Sequence, residues 1–345
     1  IGLCLVGSEM CIRDSLKSKG FTVNHEVVDL TSAMSIFHSA LTTDGMSIPE
    51  GHYEEEQMKA TVVPNRNAIF SSIIYGHALS IVSRENTDVK IALGVHSGDH
   101  AIYPDCRPEF YESLEQAFRI GNWDSEKVEF FLPYIDLDKS SILLDALSSC
   151  ERLGLDFDTI FSNTITSYNP DSEGRSSGKT GSDIERILAF NQIDRVDPID
   201  YVESWDIVLE NAISTELKYK DEIYREKLTE LQYNVTRNSS TEYPFSGELW
   251  DEKRSGTYTC ICCGHILFTS EMKFNSGCGW PSFHTEHKDA SITQIEDRTH
   301  GMVRVEVKCS KCDAHLGHIF NDGPRKYGGE RYCINSASMD FEERD

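Results

Sequence analysis

Apolar and polar positions change period along the chain in a way that separates two kinds of architecture. From Leu16 to about Asp99 strand-like and helix-like patterns alternate. FTVNHEVVDL reads as a strand, Asn67 to Val82 as an amphipathic helix, and KIALGV as a buried strand running into the polar loop His96-Ser97-Gly98-Asp99-His100. Helical spacing resumes over Pro108 to Ile120 and Ser140 to Leu153. This alternation predicts a parallel, layered α/β domain, in which ligands sit beyond the carboxyl ends of strands. Residues 169–183 form a Gly- and Ser-rich loop, and residues 205–231 read as a long polar helix spanning a domain junction. Beyond it come short segments, GTYTC, ILFTSEMKF, HGMVRVEVKC and RYCINSASMDF, which predict strands of a small, mainly β domain.

Length agrees with two domains: 345 residues, 39% hydrophobic and 26% charged, exceed what one core ordinarily serves. The net charge of −24 repels nucleic-acid backbones and anionic membranes, so neither is an expected partner. That charge is uneven, 17 basic against 36 acidic residues over 1–219 and 16 against 21 over 220–345. No apolar run is long enough to span a bilayer. The opening IGLCLVGSEMCIRDS makes a poor signal peptide and resembles translated adapter sequence, so residues 1–15 are expected to lie outside the fold.

Seven of the eleven cysteines fall between Cys260 and Cys333. An odd count with two C-x-x-C pairs fits metal ligands plus redox thiols in a reducing cytoplasm better than a secreted disulfide framework. Cys260 and Cys263, with Cys309 and Cys312, are two knuckles whose thiolates suit one tetrahedral Zn2+. Four protein ligands leave no open position, so this metal is expected to be a staple, with Cys262 a bystander. Cys278 in SGCGWPSF and Cys333 in GGERYCINSAS remain, and Arg331 stands two residues before Cys333 as a cation able to favour its thiolate. Two thiols outside the metal set suggest attack by one and resolution by the other. His315, His318 and Asp322 in HLGHIFNDGP add imidazoles and a carboxylate for proton transfer to a leaving oxygen.

The blocks YNVTRNSSTEYPFSGELW, YTCICCG, KFNSGCGWPSF, CSKCDAHLGHIFNDGP and RYCINSAS resemble, in order, those of the methionine-R-sulfoxide reductases, over residues 227–345. The resemblance implies a zinc-clamped β domain of two antiparallel sheets. It implies Cys333 as nucleophile on the sulfoxide sulfur of a peptide or protein substrate, Cys278 as resolving thiol, and thioredoxin as reductant. It places the substrate methyl on Trp280 with Phe283 beside it. His315, His318, Asp322 and Arg331 would polarise and protonate the sulfoxide oxygen, Asn335 would help hold the site, and Cys260, Cys263, Cys309 and Cys312 would hold structural zinc. The competing reading is a zinc-ribbon binding module without catalysis beside a non-catalytic ligand-binding domain; it leaves Cys278, Trp280 and Cys333 without a role.

In the first part, VVPNRN and HSGDHAIYPDCRPEF form a dense polar cluster at a strand end, suited to a flat, heteroatom-rich ligand. With the loop ending SGKTGSDIERILAF, these strings resemble the 7-cyano-7-deazaguanine synthases of queuosine biosynthesis. These are ATP-dependent ligases that make the nitrile from 7-carboxy-7-deazaguanine and ammonia on a Rossmann-like α/β sheet. The resemblance covers about Leu16 to Leu209, within a domain expected over residues 16–215, with 216–226 as a helical linker. It implies Asp99, His100, Asp105 and Arg107 for deazaguanine recognition and Arg66 for the nucleotide side. Two departures stand out. The S-G-G-x-D-S pyrophosphate loop of that family does not occur in the chain, so the ATP reaction is expected to be incomplete. Ser167, Ser177, Thr180 and Asp183 stand where that family commonly places four zinc-binding cysteines, so no zinc is expected in this domain.

Overall fold

The structure is a computed structural model in which residues 6–7, 9–290, 292–298 and 303–344 are described. The chain divides into two compact units, Ile1–Tyr219 and Lys220–Asp345.

The first unit runs β1 (Val6–Gly7), α1 (Glu9–Ser18), α2 (Thr31–Met34), α3 (Arg66–Glu85), β2 (Val89–Ala92), α4 (Pro108–Gly121) and β3 (Val128–Phe131). It continues with α5 (Lys139–Leu153), α6 (Phe157–Phe161), β4 (Thr164–Ile165) and α7 (Gly181–Gln192), and α8 (Trp205–Lys227) carries the chain past Tyr219. Local chemistry sets several of these ends. Helix α4 starts on Pro108, whose missing N–H costs nothing at that position. Helix α5 is capped by Asp138, which accepts from the Ser141 N–H at 2.8 Å, and ends on Gly154 at φ +64°. Strands β2 and β3 pair in parallel, Val89 opposite Val128, across a crossover that contains α4. Tyr75, Ala78 and Val82 of α3 pack on Ile91 and Leu93 and on Val128 and Phe130 to form the core under this pair.

The first unit is thus a mixed helix and sheet domain. Its described strands make two separate pairs, parallel β2–β3 and antiparallel β1–β4. The strand expected over FTVNHEVVDL is not formed: residues 21–30 carry no regular element, and Val27 and Val28 are 80% and 60% exposed. An apolar run with no neighbouring strand to satisfy its backbone and no face to cover its side chains has no reason to extend. Helix α1 includes the last seven residues of the segment 1–15 set aside above, while residues 1–5 and 8 lie outside the described residues.

The second unit opens with the end of α8 and with α9 (Glu230–Arg237), whose capping box joins Thr229 and Gln232 reciprocally. Strands follow: β5 (Gly256–Cys260), β6 (Ile266–Thr269), β7 (Lys273–Phe274), β8 (Ser282–Phe283), β9 (Ile292–Asp297), β10 (Arg304–Cys309), β11 (His315–Phe320), β12 (Arg331–Ile334) and β13 (Met339–Glu343). They form a six-stranded sheet, β7-β8-β12-β11-β10-β9, and a three-stranded sheet, β13-β5-β6, with antiparallel pairing. HGMVRVEVKC supplies β10; its first three residues lie outside the described ones. Phe268 of β6 stacks on Phe283 of β8 at 4.1 Å between ring centroids, joining the two sheets through fully buried rings. Each such ring contributes about 1.5–3 kcal/mol of burial.

Candidate active site and metal centre

The two C-x-x-C knuckles are built alike. Gly264 N–H returns to the Cys260 carbonyl at 2.7 Å and Asp313 N–H to the Cys309 carbonyl at 2.8 Å. Each turn ends in the left-handed region, Gly264 at φ +72° and Asp313 at +56°. The four sulfurs of Cys260, Cys263, Cys309 and Cys312 lie within 4.8 Å of one another, with Cys260–Cys312 at 3.6 Å and Cys263–Cys309 at 3.7 Å. Tetrahedral thiolates on a metal at about 2.3 Å sit about 3.8 Å apart, so the cluster suits one such ion. Lys227 and Arg237 donate to the Cys262 and Cys312 carbonyls at 2.8 and 2.7 Å, tying α8 and α9 to the knuckles. The thiol of Cys262 is not part of the cluster.

The second thiol pair lies apart from that cluster. Cys333 on β12 stands directly opposite His318 on β11, so their side chains leave the same face of the sheet. Gly317 permits the close pairing: a Cβ there would lie 2.1 Å from the Cys333 carbonyl oxygen. Cys278 reaches in from the loop before β8, its sulfur 3.8 Å from that of Cys333. This is van der Waals contact, one short movement from a bond of about 2.05 Å.

Cys278 receives hydrogen bonds from the Ser276 hydroxyl at 3.0 Å and from Arg331 Nη1 at 3.5 Å. Burial is the largest influence and opposes its ionisation, yet hydrogen bonds with Ser276, Ser282, the Trp280 backbone and Cys333 together outweigh it and hold the thiol below its ordinary value. Burial, followed by the neighbouring Cys278 charge, pushes Cys333 up to about 12. Arg331 is fixed by Asp322 through a two-pronged pair, Nε–Oδ1 at 2.7 Å and Nη2–Oδ2 at 2.9 Å. The same pairing holds Asp322 below the usual carboxylate range, so at neutral pH it orients Arg331 as an anion and has no proton to give.

The imidazoles are also oriented. His315 Nδ1–H donates to Glu306 at 2.6 Å, and burial pushes its pKa down, leaving a neutral ring whose buried Nε2 has no hydrogen-bond partner among the described residues. His318 Nε2–H donates to Asp297 at 3.0 Å. Trp280 is half-buried, its indole N–H donating to the Glu242 carbonyl at 3.2 Å. Asn335 is buried, donating to the Leu316 carbonyl at 3.0 Å and accepting from the Glu242 N–H at 3.2 Å. Phe283, expected beside Trp280, is fully buried between the sheets, whereas Trp280 is half-buried. Sequence reasoning did not find Glu306, Asp297, Ser276, Ser282 or Glu242. Only Ser276 and Ser282, inside the SGCGWPSF loop, carried a local signal, as hydroxyls close in sequence to Cys278.

In the first unit the motif residues are tied more tightly to the protein than a free binding loop would be. Asp99 is buried, accepts from the Tyr53 hydroxyl at 2.8 Å and faces His96 Nε2 at 3.5 Å. Asp105 accepts from the Asn67 N–H at 3.2 Å, at the start of α3. Arg107 is exposed and holds the His100 carbonyl at 2.8 Å, while the His100 Nε2 is buried without a hydrogen-bond partner among the described residues. The Arg66 guanidinium lies 5.4 Å from the centre of the Tyr103 ring. A cavity of about 180 Å³ opens beyond the carboxyl end of β2, lined by His52, Tyr53, Gly98, Lys139 and Glu185 among others. Lys139 and Glu185 pair across it at 2.6 Å. Ser167, Ser177, Thr180 and Asp183 do converge, but around a carboxylate. Asp183 accepts from the hydroxyls of Ser167 and Ser177 at 3.1 Å each and of Ser176 at 2.7 Å, and from the Thr180 N–H at 3.2 Å.

Comparison with known proteins divides the chain at the same place. The model of the queuosine biosynthesis protein QueC matches residues 8–194, more than half the chain, and that of the SelR domain matches residues 228–343. The first match begins inside the segment 1–15. A 7-cyano-7-deazaguanine synthase 1 of Colwellia psychrerythraea (strain 34H / ATCC BAA-681) is 43% identical over 187 residues, 54% of this chain and 78% of that protein. A peptide methionine sulfoxide reductase MsrB of Hahella chejuensis (strain KCTC 2396) is 54% identical over 129 residues, 37% of this chain and 92% of that protein. Its counterpart in Pseudomonas putida (strain W619) is 53% identical over 124 residues, 36% and 92%. The chain therefore belongs to the QueC family through residues 8–194 and to the SelR domain family through residues 228–343.

Proposed function

We propose that residues 227–345 reduce methionine-R-sulfoxide in peptides or proteins, and that residues 16–215 are the part devoted to 7-carboxy-7-deazaguanine, ammonia and ATP. The observation that carries the first reading is the 3.8 Å approach of Cys278 and Cys333 outside the four-sulfur cluster and opposite His318. Cys333, as thiolate, attacks the sulfoxide sulfur; the S–O bond breaks as oxygen passes to Cys333, giving the sulfenic acid and methionine. Cys278 then attacks the Cys333 sulfur, the sulfenic oxygen leaves as water, and a disulfide remains for thioredoxin to reduce with its own dithiol. Neutral His315, whose Nδ1–H is held by Glu306 and whose Nε2 is an acceptor, takes the Cys333 thiol proton together with His318 and returns it to the sulfoxide oxygen, while Asp322 keeps Arg331 beside Cys278. Trp280 takes the methyl group, and Asn335 holds the turn behind Cys333. Zn2+ on Cys260, Cys263, Cys309 and Cys312 serves as a staple and takes no part in turnover. A cytoplasmic setting suits the free thiols; among the described residues no helix is long and apolar enough to cross a membrane.

The test is reduction of a peptide R-sulfoxide by the full chain with thioredoxin or dithiothreitol. Cys333→Ser is expected to abolish it, and full activity in that variant overturns the assignment. For the first part, the likeness to the 7-cyano-7-deazaguanine synthases supports the reading, and titration with 7-carboxy-7-deazaguanine, with and without ATP, checks it. Absence of binding under both conditions removes the role.

A further inference from the structure

Glu242 is buried, 3% exposed, yet it belongs to none of the groups that act on thiol, sulfur or oxygen above. Its carboxylate accepts the backbone N–H of Ser336 at 2.6 Å and of Ala337 at 2.9 Å. Its own N–H donates to the Asn335 side chain at 3.2 Å, and its carbonyl accepts the Trp280 indole N–H at 3.2 Å. One residue thus grips the turn that directly follows Cys333 and the ring that faces the substrate, which lie in different loops. The flanking segment is built to keep it there. Phe245 N–H bonds to the Gly279 carbonyl at 2.8 Å, next to Trp280, and Phe245 takes a left-handed φ of +64° to do so. The Leu249 N–H bonds to the Ser336 hydroxyl at 3.3 Å, and a Cβ at Gly247 would lie 2.2 Å from that same hydroxyl. A carboxylate removed from water with two N–H donors is worth more than neutral hydrogen bonds, and left-handed backbone at a non-glycine residue is held only by surroundings that over-determine it.

We propose that Glu242 is a positioning residue of the reductase site, setting the distance and angle between the Trp280 ring and Cys333 so that a sulfoxide methyl on the ring places its sulfur before the thiolate. This rests on the reductase reading of residues 227–345. An error of about 1 Å in such an alignment costs about a hundredfold in rate. Glu242→Gln keeps the shape but turns an NH2 toward an N–H donor. The expected result is a fall in kcat/KM for an R-sulfoxide peptide of about 10- to 100-fold, with a raised KM. Alkylation of Cys333 by iodoacetamide, which needs no Trp280 contact, should stay within about threefold of the unsubstituted protein. Zinc content and melting temperature are measured beside it. Turnover within about threefold of the unsubstituted chain overturns the proposal, as does a parallel fall in alkylation, which marks general loosening. Glu242→Asp, which keeps the charge but draws the carboxylate back from the Ser336 and Ala337 N–H groups, covers the case in which Glu242→Gln fails to fold. A several-fold rise in KM supports the linkage, and an unchanged KM overturns it. Failure of the reductase reading is a separate outcome, seen as no reduction by the unsubstituted chain.

Discussion

At the scale of single residues, the two reactive thiols hold opposite electrostatic positions although they nearly touch. Cys278 is supplied with hydroxyl donors and lies within reach of Arg331, whereas Cys333 is more buried and lies beside whatever charge Cys278 carries. Of the two, Cys278 is therefore the more readily ionised, and Cys333 the less, with a value pushed up to about 12. Removing Cys278 removes two of the three contributions that raise Cys333, its charge and its hydrogen bond, and burial remains. Cys278→Ser is therefore expected to move the ionisation of Cys333 downward, toward but not below the ordinary thiol range. The check is the ultraviolet absorbance of the thiolate followed against pH, with the Cys278→Ser, Cys333→Ser double variant as the blank. An upward shift, or none, contradicts the coupling.

At the scale of elements, what could be read from sequence was what short spacings dictate. The knuckles were legible because a C-x-x-C turn closes on itself, and α3, α4 and α5 because their periodicity and caps are local. Residues 21–30 misled because a run of apolar residues says nothing about whether a partner strand exists, and Val27 and Val28 prove exposed. Glu306, Asp297 and Glu242 were not legible, because their partners are reached only through strand register or across the fold. His318 meets Asp297 from 21 residues away, and Glu242 meets Ser336 from 94. The hydroxyl cluster is the instructive intermediate case. Four positions aligned by motif do meet in space, and the first turn of α7 is fixed by Asp183, 1% exposed, instead of by thiolates. Asp183→Asn turns a donor toward hydroxyls and an N–H that need acceptors, and is expected to cost about 1–3 kcal/mol. Urea unfolding of the first unit measures this; an unchanged midpoint would show the carboxylate to be dispensable.

At the scale of the whole molecule, each unit keeps its own core. The buried cluster around Tyr258, Phe268 and Phe283 draws only on residues after Tyr219, and those around Tyr75, Phe190 and Ile187 only on residues before it. The four-sulfur cluster belongs wholly to the second unit, and the cluster of Ser167, Ser176, Ser177 and Asp183 in the first offers hydroxyls and a carboxylate, poor company for zinc. Charge differs as well, with the excess of acidic side chains concentrated in residues 1–219. Metal and salt should therefore act on different parts of one chain. Metal analysis is expected to find one zinc per chain. Calorimetry of the full protein should show two transitions, of which chelation lowers only the one assigned to residues 220–345, since metal-binding energy there is folding energy. Added sodium chloride, by screening like-charge repulsion, should raise the other. A second zinc, or a single transition that chelation moves as a whole, contradicts the assignment of one stapled and one unstapled unit.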